Sequence, residues 1–201
     1  KSYEYQGIIA ISYTKKASRE LEQRCKMTGI SMKSSFFGTI DNFYISEIIM
    51  PFVKYFFNKR IELQVEAELE KYPQYTILRN IKNGINSQIE IALINALAEG
   101  HIFLEISGET ALFVLSQIPE AREYIQAKYT HIFIDEYQDC GNIQHEIFMK
   151  MISMGLLGIA VGDIDQAIYA FANRYSKYLS ELTQNKKFQN FRISKNHRCH
   201  E

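Results

Sequence analysis

Apolar residues along the chain fall into short strand-like runs separated by segments with helical spacing. Apolar runs at 7–13 and 34–38 predict buried strands, and 15–28 between them has the spacing of a basic amphipathic helix. A further helix is predicted from about Asp41. Strands that alternate with helices indicate an α/β fold with a parallel sheet covered on both sides.

The centre of the chain follows a different pattern. Strand signals become sparse over 51–128 and helical spacing dominates, as in NSQIEIALINALAEG, where Gly100 can end the helix. Strands and helices then alternate again: strands at 130–135, 158–162 and about 190–194, and helices at 143–154 and around 175–183. The pattern therefore predicts a helical insertion, residues 51–128, between two parts of one α/β domain, residues 1–50 and 129–201.

Composition narrows the functional classes. The 201 residues, 46% of them hydrophobic, are enough for one substantial core or two small ones. Lys plus Arg (23) equals Asp plus Glu (23), so any electrostatic recognition must be local. The scattered cysteines Cys25, Cys140 and Cys199 cannot all pair within one chain, which favours a reducing compartment and predicts a cytoplasmic protein. No apolar run approaches the roughly 18 residues that span a bilayer, so no membrane partner is expected.

The strand at 130–135 ends in an acidic turn, within the segment YTHIFIDEYQDC. Ligands of an open parallel sheet gather beyond the carboxyl ends of its strands, so Asp135 and Glu136 would point into that crevice. Apolar residues followed by Asp-Glu form a Walker B pattern, in which one carboxylate holds the magnesium of a nucleotide and the next deprotonates the attacking water. The alternative is a solvated acidic turn that caps the next helix.

The following strand also runs into polar residues, in GIAVGDIDQAIYAFANR. Its carboxylates Asp163 and Asp165 precede Gln166, which could hydrogen-bond a terminal phosphate. Tyr169 and Phe171 could stack on bases, although core packing is the commoner fate of aromatic residues. Two strand ends therefore converge on one polar site.

Five segments together resemble the motifs of one family, the UvrD/Rep/PcrA group of superfamily 1 DNA helicases. They are ISYTKKASREL at 11–21 (motif Ia), GTIDNF at 38–43 (Ib), DEYQD at 135–139 (II), GDIDQAIYAF at 162–171 (III) and NHR at 196–198 (IV). They occur in the family's order over nearly the whole chain. The resemblance implies a RecA-like P-loop NTPase sheet flanked by helices, domain 1A, with the insertion corresponding to the helical subdomain 1B.

The resemblance also implies an ATPase site with ATP and Mg²⁺ as cofactors. Asp135 would hold magnesium and Glu136 would be the general base. Gln166 would contact the γ-phosphate, Arg198 would stabilise charge in the transition state, and His197 stands near the adenine position, where the family usually has Tyr.

The same resemblance implies a track for single-stranded DNA and for single-strand/duplex junctions, with the remaining helicase domains of a longer parent chain as further partners. The residues at its positions are Tyr13, Thr14, Lys16, Thr39, Asn42, Tyr169 and Phe171. Basic residues cluster over 15–26, which suits phosphates. Departures from the family pattern affect this track most: Lys15 replaces Asn, Asp41 replaces His and Ala172 replaces Arg.

The sequence contains no GxxxxGK[ST] motif, the loop that supplies most of the contacts to the β- and γ-phosphates. We therefore expect a fragment of an ATP-dependent DNA helicase or translocase of repair or recombination, truncated after its P-loop and inactive alone. The alternative is a non-catalytic nucleic-acid-binding or interaction domain derived from a helicase. Retention of Asp135, Glu136, Gln166 and Arg198 favours the first hypothesis.

Two other clusters have alternative interpretations. His197, Cys199 and His200 could ligate a metal, but one short cluster without a partner pair is a weak zinc signal. The aromatic segment FYISEIIMPFVKYFF at 43–57 could lie on a membrane surface, but its spacing also fits a helix packed between subdomains, which we favour.

Overall fold

The computed structural model describes residues 5–29, 32, 34–57, 61–163 and 177–193. In these residues four strands form one parallel sheet with the spatial order β2-β1-β5-β6. Two shorter strands, β3 and β4, pair in parallel as a separate sheet. The strands are β1 Gly7–Ile11, β2 Phe36–Gly38, β3 Gln64–Glu66, β4 His101–Phe103, β5 Tyr129–Ile134 and β6 Leu157–Ala160. The predicted α/β class with a parallel sheet is confirmed.

Helices connect these strands, and sequence explains several of their ends. The α-helices are α1 Lys15–Met27, α2 Ile40–Phe43, α3 Met50–Phe52, α4 Lys54–Phe57, α5 Ser87–Ala98, α6 Ser107–Gln117, α7 Pro119–Lys128, α8 Asn142–Ser153 and α9 Lys177–Gln184. Thr14 caps α1, because its Oγ1 accepts the Ala17 N–H at 3.1 Å. Asn86 caps α5 in the same way through Oδ1. Gly100, with φ +93°, follows α5 where the chain turns into β4.

Several helical segments depart from α geometry. In the described part of the chain, four are 3₁₀ helices, Leu69–Lys71, Pro73–Asn83, Leu104–Ile106 and Tyr137–Asp139, and Tyr44–Ile49 is π-helical. The π-helical turn directly precedes α3, which contains Pro51. Proline lacks an N–H and its ring presses on the preceding turn, so a widened turn before Pro51 has a local cause.

The main core lies on one face of the four-stranded sheet. Ile9 pairs with Phe36 and Ile132, and Ile11 pairs with Ile134, so these side chains share a face and are buried. The segment 43–53 and the helices α6 and α8 pack into this core, which continues through buried residues of the 3₁₀ helix Pro73–Asn83, α5, β4 and α7. This packing holds the sheet in place while its strand ends remain at the surface.

The aromatic segment at 43–57 packs into this core, as favoured from its spacing. Phe43, Ile48 and Ile49 are fully buried, and Phe52 and Val53 nearly so. The segment therefore contributes to the core rather than to a membrane surface. Among the described residues, no helix has the length and apolar character needed to cross a bilayer.

Two details of the predicted secondary structure were wrong. The insertion over 51–128 is not wholly helical, because Gln64–Glu66 and His101–Phe103 pair across a long stretch of sequence into β3 and β4. Three-residue strands carry too little periodicity to be recognised. Residues 190–193 form no strand: Phe191 and Ile193 are 82% and 84% exposed, and the apolar alternation there has no partner strand in the described residues.

Candidate active site and adjoining cleft

The parallel strands bring their carboxyl ends to one edge of the sheet, where the predicted site residues follow them. Backbone hydrogen bonds extend the pairing beyond the strands: the Ser12 N–H donates to Gly38 O at 3.1 Å and the Asp135 N–H to Ile11 O at 3.0 Å. The Val161 N–H likewise donates to Ile134 O at 2.9 Å. The loops after β1, β2, β5 and β6 are therefore held side by side.

Asp135 is the first residue after β5 and is half-buried. Its Oδ1 accepts the Glu136 N–H at 3.0 Å. Burial raises the pKa of Asp135 above its ordinary value, the hydrogen bond from Glu136 opposes this shift, and the charge of Glu136 adds to it. The carboxyl group thus stands where solvent and protein meet at the strand end.

Glu136 has a left-handed backbone, with φ 53° and ψ 43°, which is uncommon for a residue other than Gly, Asn or Asp. This conformation reverses the chain into the 3₁₀ turn Tyr137–Asp139, and the Tyr137 N–H donates to Val161 O at 2.8 Å. The side chain of Glu136 is exposed, and its Oε2 accepts a hydrogen bond from Gln138 Nε2 at 2.7 Å. Strained backbone of this kind is concentrated at functional sites.

Aromatic contacts with α8 and α9 hold the turn after β5 in place. Tyr137 is fully buried and its hydroxyl hydrogen-bonds His145 Nδ1 of α8 at 2.9 Å. The ring of His145 stacks on Tyr178 of α9, with centroids 4.6 Å apart, and the Tyr178 hydroxyl donates to Asn142 at 2.9 Å. Burial lowers the pKa of His145, although the charge of Glu181 opposes that shift. Two helices therefore fix the acidic turn.

A cleft of about 950 Å³ opens beside Asp135, between the ends of β1, β2 and β5, helices α1 and α2, and the insertion. Three of the residues predicted for DNA, Tyr13, Thr39 and Asn42, line it together with Asp135. Lys15 and Arg19 provide its basic wall. The strand-end carboxylate and part of the predicted DNA track therefore share one open space.

Other members of the predicted track are placed differently. Thr14 uses its hydroxyl as the cap of α1, and Lys16 is exposed on α1 beside the cleft. The Tyr13 hydroxyl donates to the backbone carbonyl of Asp139 at 3.2 Å, which joins the loop after β1 to the acidic turn. Sequence spacing alone did not indicate this contact.

The basic segment 15–26 is less uniformly positive than its sequence suggests. Arg24 pairs with Glu20 and Lys26 with Glu22, each at 2.6 Å and one helical turn apart. Lys15, Lys16 and Arg19 lie at the start of α1 close to the cleft. The positive charge available to a phosphate is therefore concentrated at the amino end of α1.

Several predicted site residues lie outside the described residues, namely Gln166, Tyr169, Phe171, His197 and Arg198, and so does the weak zinc cluster with Cys199 and His200. Within the described residues no group of three or more His, Cys, Asp and Glu side chains could hold a metal. A magnesium ion that arrives with a nucleotide uses one or two protein carboxylates together with substrate phosphates and water. Asp135 fits that donor set.

Comparison with known proteins connects this site to a family. The family model for the UvrD/REP helicase N-terminal domain matches residues 86–187, about half of the chain, including the acidic turn after β5. The chain belongs to the UvrD/REP helicase family. The match confirms the resemblance drawn from the five motifs.

Individual relatives of this UvrD/REP helicase chain align with it to different extents. The chain is 30% identical over 203 aligned residues to the Gabija protein GajB of Bacillus cereus (strain VD045), covering 96% of this chain and 38% of that protein. It is 35% identical over 82 residues to an ATP-dependent helicase/nuclease subunit of Streptococcus pneumoniae (strain Hungary19A-6), covering 41% of this chain and 7% of that protein. The equivalent subunit of Streptococcus sanguinis (strain SK36) is 32% identical over 84 residues. The chain thus spans well under half the length of these relatives.

Two residues of the candidate site lie within motifs II and III but had no assigned role in the sequence analysis. Gln138 was visible between the carboxylates but had no assigned role, and its side chain is 3% exposed. Gly162 was part of motif III, and a Cβ there would lie 2.5 Å from Gln138 Oε1. Only the tertiary structure brings these two residues together.

Proposed function

We propose that this chain forms the hydrolysis side of the ATP site, and one wall of the single-stranded DNA path, of an ATP-dependent DNA helicase or translocase. The observation that carries the proposal is the position of Asp135 and Glu136 at the carboxyl end of β5, beside the cleft that Tyr13, Thr39 and Asn42 line. Membership of the UvrD/REP helicase family supports it.

In this proposal the carboxylates of Asp135 and Glu136 have different roles. Asp135 would hold the magnesium ion of a bound nucleotide, which would supply positive charge beside the phosphate oxygens. Glu136 orients the attacking water and accepts its proton. The left-handed backbone at Glu136 separates the two side chains along the turn, so that one carboxylate stays half-buried at the strand end and the other is exposed.

The cleft is proposed to guide single-stranded DNA. Tyr13 is 47% exposed and can offer a ring face to a base, while Lys15 and Arg19 can meet phosphates. Thr39 and Asn42 supply hydrogen-bonding groups at the carboxyl end of β2 and in α2. The Tyr13 contact to Asp139 would make the DNA wall sensitive to the position of the acidic turn.

The domain division is also a proposal. Strands β1 and β2 pair with β5 and β6 in one sheet, which supports a single RecA-like unit built from residues 1–50 and 129–201. Residues 51–128 would then be an insertion that borders the DNA path, since Val65 and Leu104 reach the cleft.

The decisive experiment is Glu136→Gln in the full-length protein that carries this chain. The substitution removes the proton acceptor but keeps size and hydrogen bonding, so DNA-stimulated ATP hydrolysis should fall by roughly 10²–10⁴-fold, the contribution of general-base catalysis. Nucleotide affinity, measured by titration with a fluorescent analogue, should change little. Glu146→Gln on α8, also exposed, is the matched control and should hydrolyse ATP at the unsubstituted rate. Near-normal turnover in Glu136→Gln would contradict the role of Glu136 as general base and would favour the alternative interpretation, a solvated acidic turn.

A further inference from the structure

Gln138 lies between the acidic turn and the loop after β6, and both ends of its side-chain amide are engaged. Oε1 accepts the Asp163 N–H at 3.1 Å, and Nε2 donates to Glu136 Oε2 at 2.7 Å. A backbone N–H can only donate, so it must face the amide oxygen, and the amide NH₂ group is then directed at the carboxylate. Geometry therefore fixes the orientation of the amide.

The loop after β6 approaches Gln138 more closely than a side chain on that loop would permit. A Cβ at Gly162 would lie 2.5 Å from Gln138 Oε1 and 3.1 Å from its backbone nitrogen. The Tyr137 N–H bonds Val161 O at 2.8 Å, which adds a backbone tie between the same two segments. Gln138 is thus enclosed, with 3% of its surface exposed, while Glu136 beside it is open to solvent.

We propose that Gln138 is a positioning residue, which holds the Glu136 carboxylate in its reactive orientation and couples that orientation to the loop 161–163. This inference rests on the proposed function, in which Glu136 accepts the proton of the attacking water. An exposed glutamate has several rotatable bonds, and a general base is effective only within hydrogen-bond reach of the proton that it takes. A buried amide, itself fixed by the Asp163 N–H, restricts that freedom.

The geometry also predicts how the loop influences hydrolysis. A shift of the Asp163 backbone moves the donor that fixes the Gln138 amide, and the amide in turn moves the Glu136 carboxylate. The loop after β6 can therefore set the position of the base through the amide of Gln138. Gly162 is needed for this arrangement because of its close approach to the amide.

The test uses Gln138→Met and Gln138→Glu in the full-length protein. Methionine keeps the length of the side chain but lacks both hydrogen bonds, so kcat for ATP should fall at least about tenfold, as for loss of a charge-assisted hydrogen bond, with KM within about twofold. Glutamate keeps an acceptor for the Asp163 N–H, but its negative charge repels Glu136. The kcat of Gln138→Glu should therefore fall at least as far as that of Gln138→Met. Gln126→Met, which removes a side-chain hydrogen bond to Met154 O on the surface, is the matched control and should leave kcat unchanged.

Two further measurements separate positioning from a general structural role. Amide hydrogen exchange over 161–163 should accelerate in Gln138→Met and stay slow in Gln138→Glu, since only the latter keeps the acceptor. In a Glu136→Gln background, Gln138→Met should cause no additional loss of turnover, because the group that it positions is already gone. A multiplicative loss in that double variant would show that Gln138 acts independently of Glu136 and would overturn the inference.

The outcomes distinguish this inference from the proposed function. Hydrolysis that is lost in Glu136→Gln but unchanged in Gln138→Met would overturn the inference alone. Absence of ATP hydrolysis in the unsubstituted full-length protein would overturn the proposed function and the inference with it. Thermal unfolding identifies any variant that fails to fold. If Gln138→Met fails to fold, the kinetic comparison uses Gln138→Glu, whose side chain has the same shape as the native glutamine.

Discussion

At the scale of single residues, Asp135 of the acidic turn, a candidate functional residue, affects the stability of the fold through its pKa. Burial raises the pKa of Asp135, so the folded protein holds a proton on this group more tightly than the unfolded chain does. Its favourable contribution is complete below the ordinary pKa of 3.8 and is lost as the pH rises through the folded value. At neutral pH the ionised carboxylate therefore lowers stability.

Asp135→Asn should consequently stabilise the protein at pH 7 while it impairs catalysis. The asparagine Oδ1 can still accept the Glu136 N–H, and the side chain never ionises. Thermal unfolding should show a higher Tm for the variant at pH 7, and the difference should vanish towards pH 3. A lower Tm at pH 7 would show that the carboxylate has a stabilising partner. ATP hydrolysis by the full-length variant should meanwhile fall and partly recover at high magnesium.

At the scale of elements, one partly buried carboxylate joins the π-helical segment to α7 and β5. Glu47 Oε2 accepts hydrogen bonds from the Tyr129 hydroxyl at 2.8 Å, from Lys128 Nζ at 2.7 Å and from the Tyr124 hydroxyl at 3.1 Å. Burial lowers the pKa of Lys128, but hydrogen bonds with Glu47 and Tyr124 outweigh it and raise the pKa overall. The widened turn before Pro51 is thereby fixed to the strand that carries the acidic turn.

Glu47→Gln should destabilise the protein by about 2 kcal/mol, because it leaves the partly buried ammonium of Lys128 without its counter-charge. Chemical denaturation measures this free energy of unfolding. The matched control is Glu123→Gln, an exposed carboxylate on α7, which should change stability by less than about 0.5 kcal/mol. Equal effects of the two substitutions would show that the Glu47 cluster contributes nothing beyond a surface charge.

At the scale of the whole molecule, the sheet is covered unequally on its two faces. Gly158 and Ala160 of β6 share the face of Ile132 and Ile134, and a Cβ at Gly158 would meet Phe148 and Ile152 of α8. Apolar side chains on the other face are solvent-exposed: Leu157 (56%), Ile159 (41%) and the following Val161 (40%). In the described part of the chain β6 pairs with β5 alone.

A strand edge that has no partner among the described residues, beside exposed apolar side chains, favours association. The 201-residue chain should therefore self-associate as its concentration rises, and sedimentation velocity should detect it. The double substitution Leu157→Lys and Ile159→Lys should suppress the association. Ile91→Lys on α5, where the native side chain is 60% exposed, should not. If the protein stays monomeric at every concentration, the exposed apolar face of β6 does not drive association and the prediction is wrong.

The sequence by itself determined the class of fold and the family, and it predicted that Asp135 and Glu136 follow a strand end. The apolar run before Asp135 and the order of the five motifs predicted a parallel α/β sheet and the family, because strand burial and the residue types at strand ends are local properties. The carboxylates at the end of β5 were predicted for the same reason. The roles assigned to Asp135 and Glu136, to Gln166, His197 and Arg198, and to the residues of the DNA track all remain predictions.

Tertiary structure alone decided the relations between distant segments. The pairing of β3 with β4, the contact of Tyr13 with Asp139 and the cluster around Glu47 join residues that are far apart in the sequence, up to 126 positions for Tyr13 and Asp139. No local pattern indicates such contacts. In the sequence, Gln138 is only a polar residue among carboxylates. Its close approach to Gly162 is visible only in the folded structure. The periodicity of a sequence reflects the burial of residues along one helix or strand. A site is formed by several helices and strands together, so the residues that support it can be identified only from the packed structure.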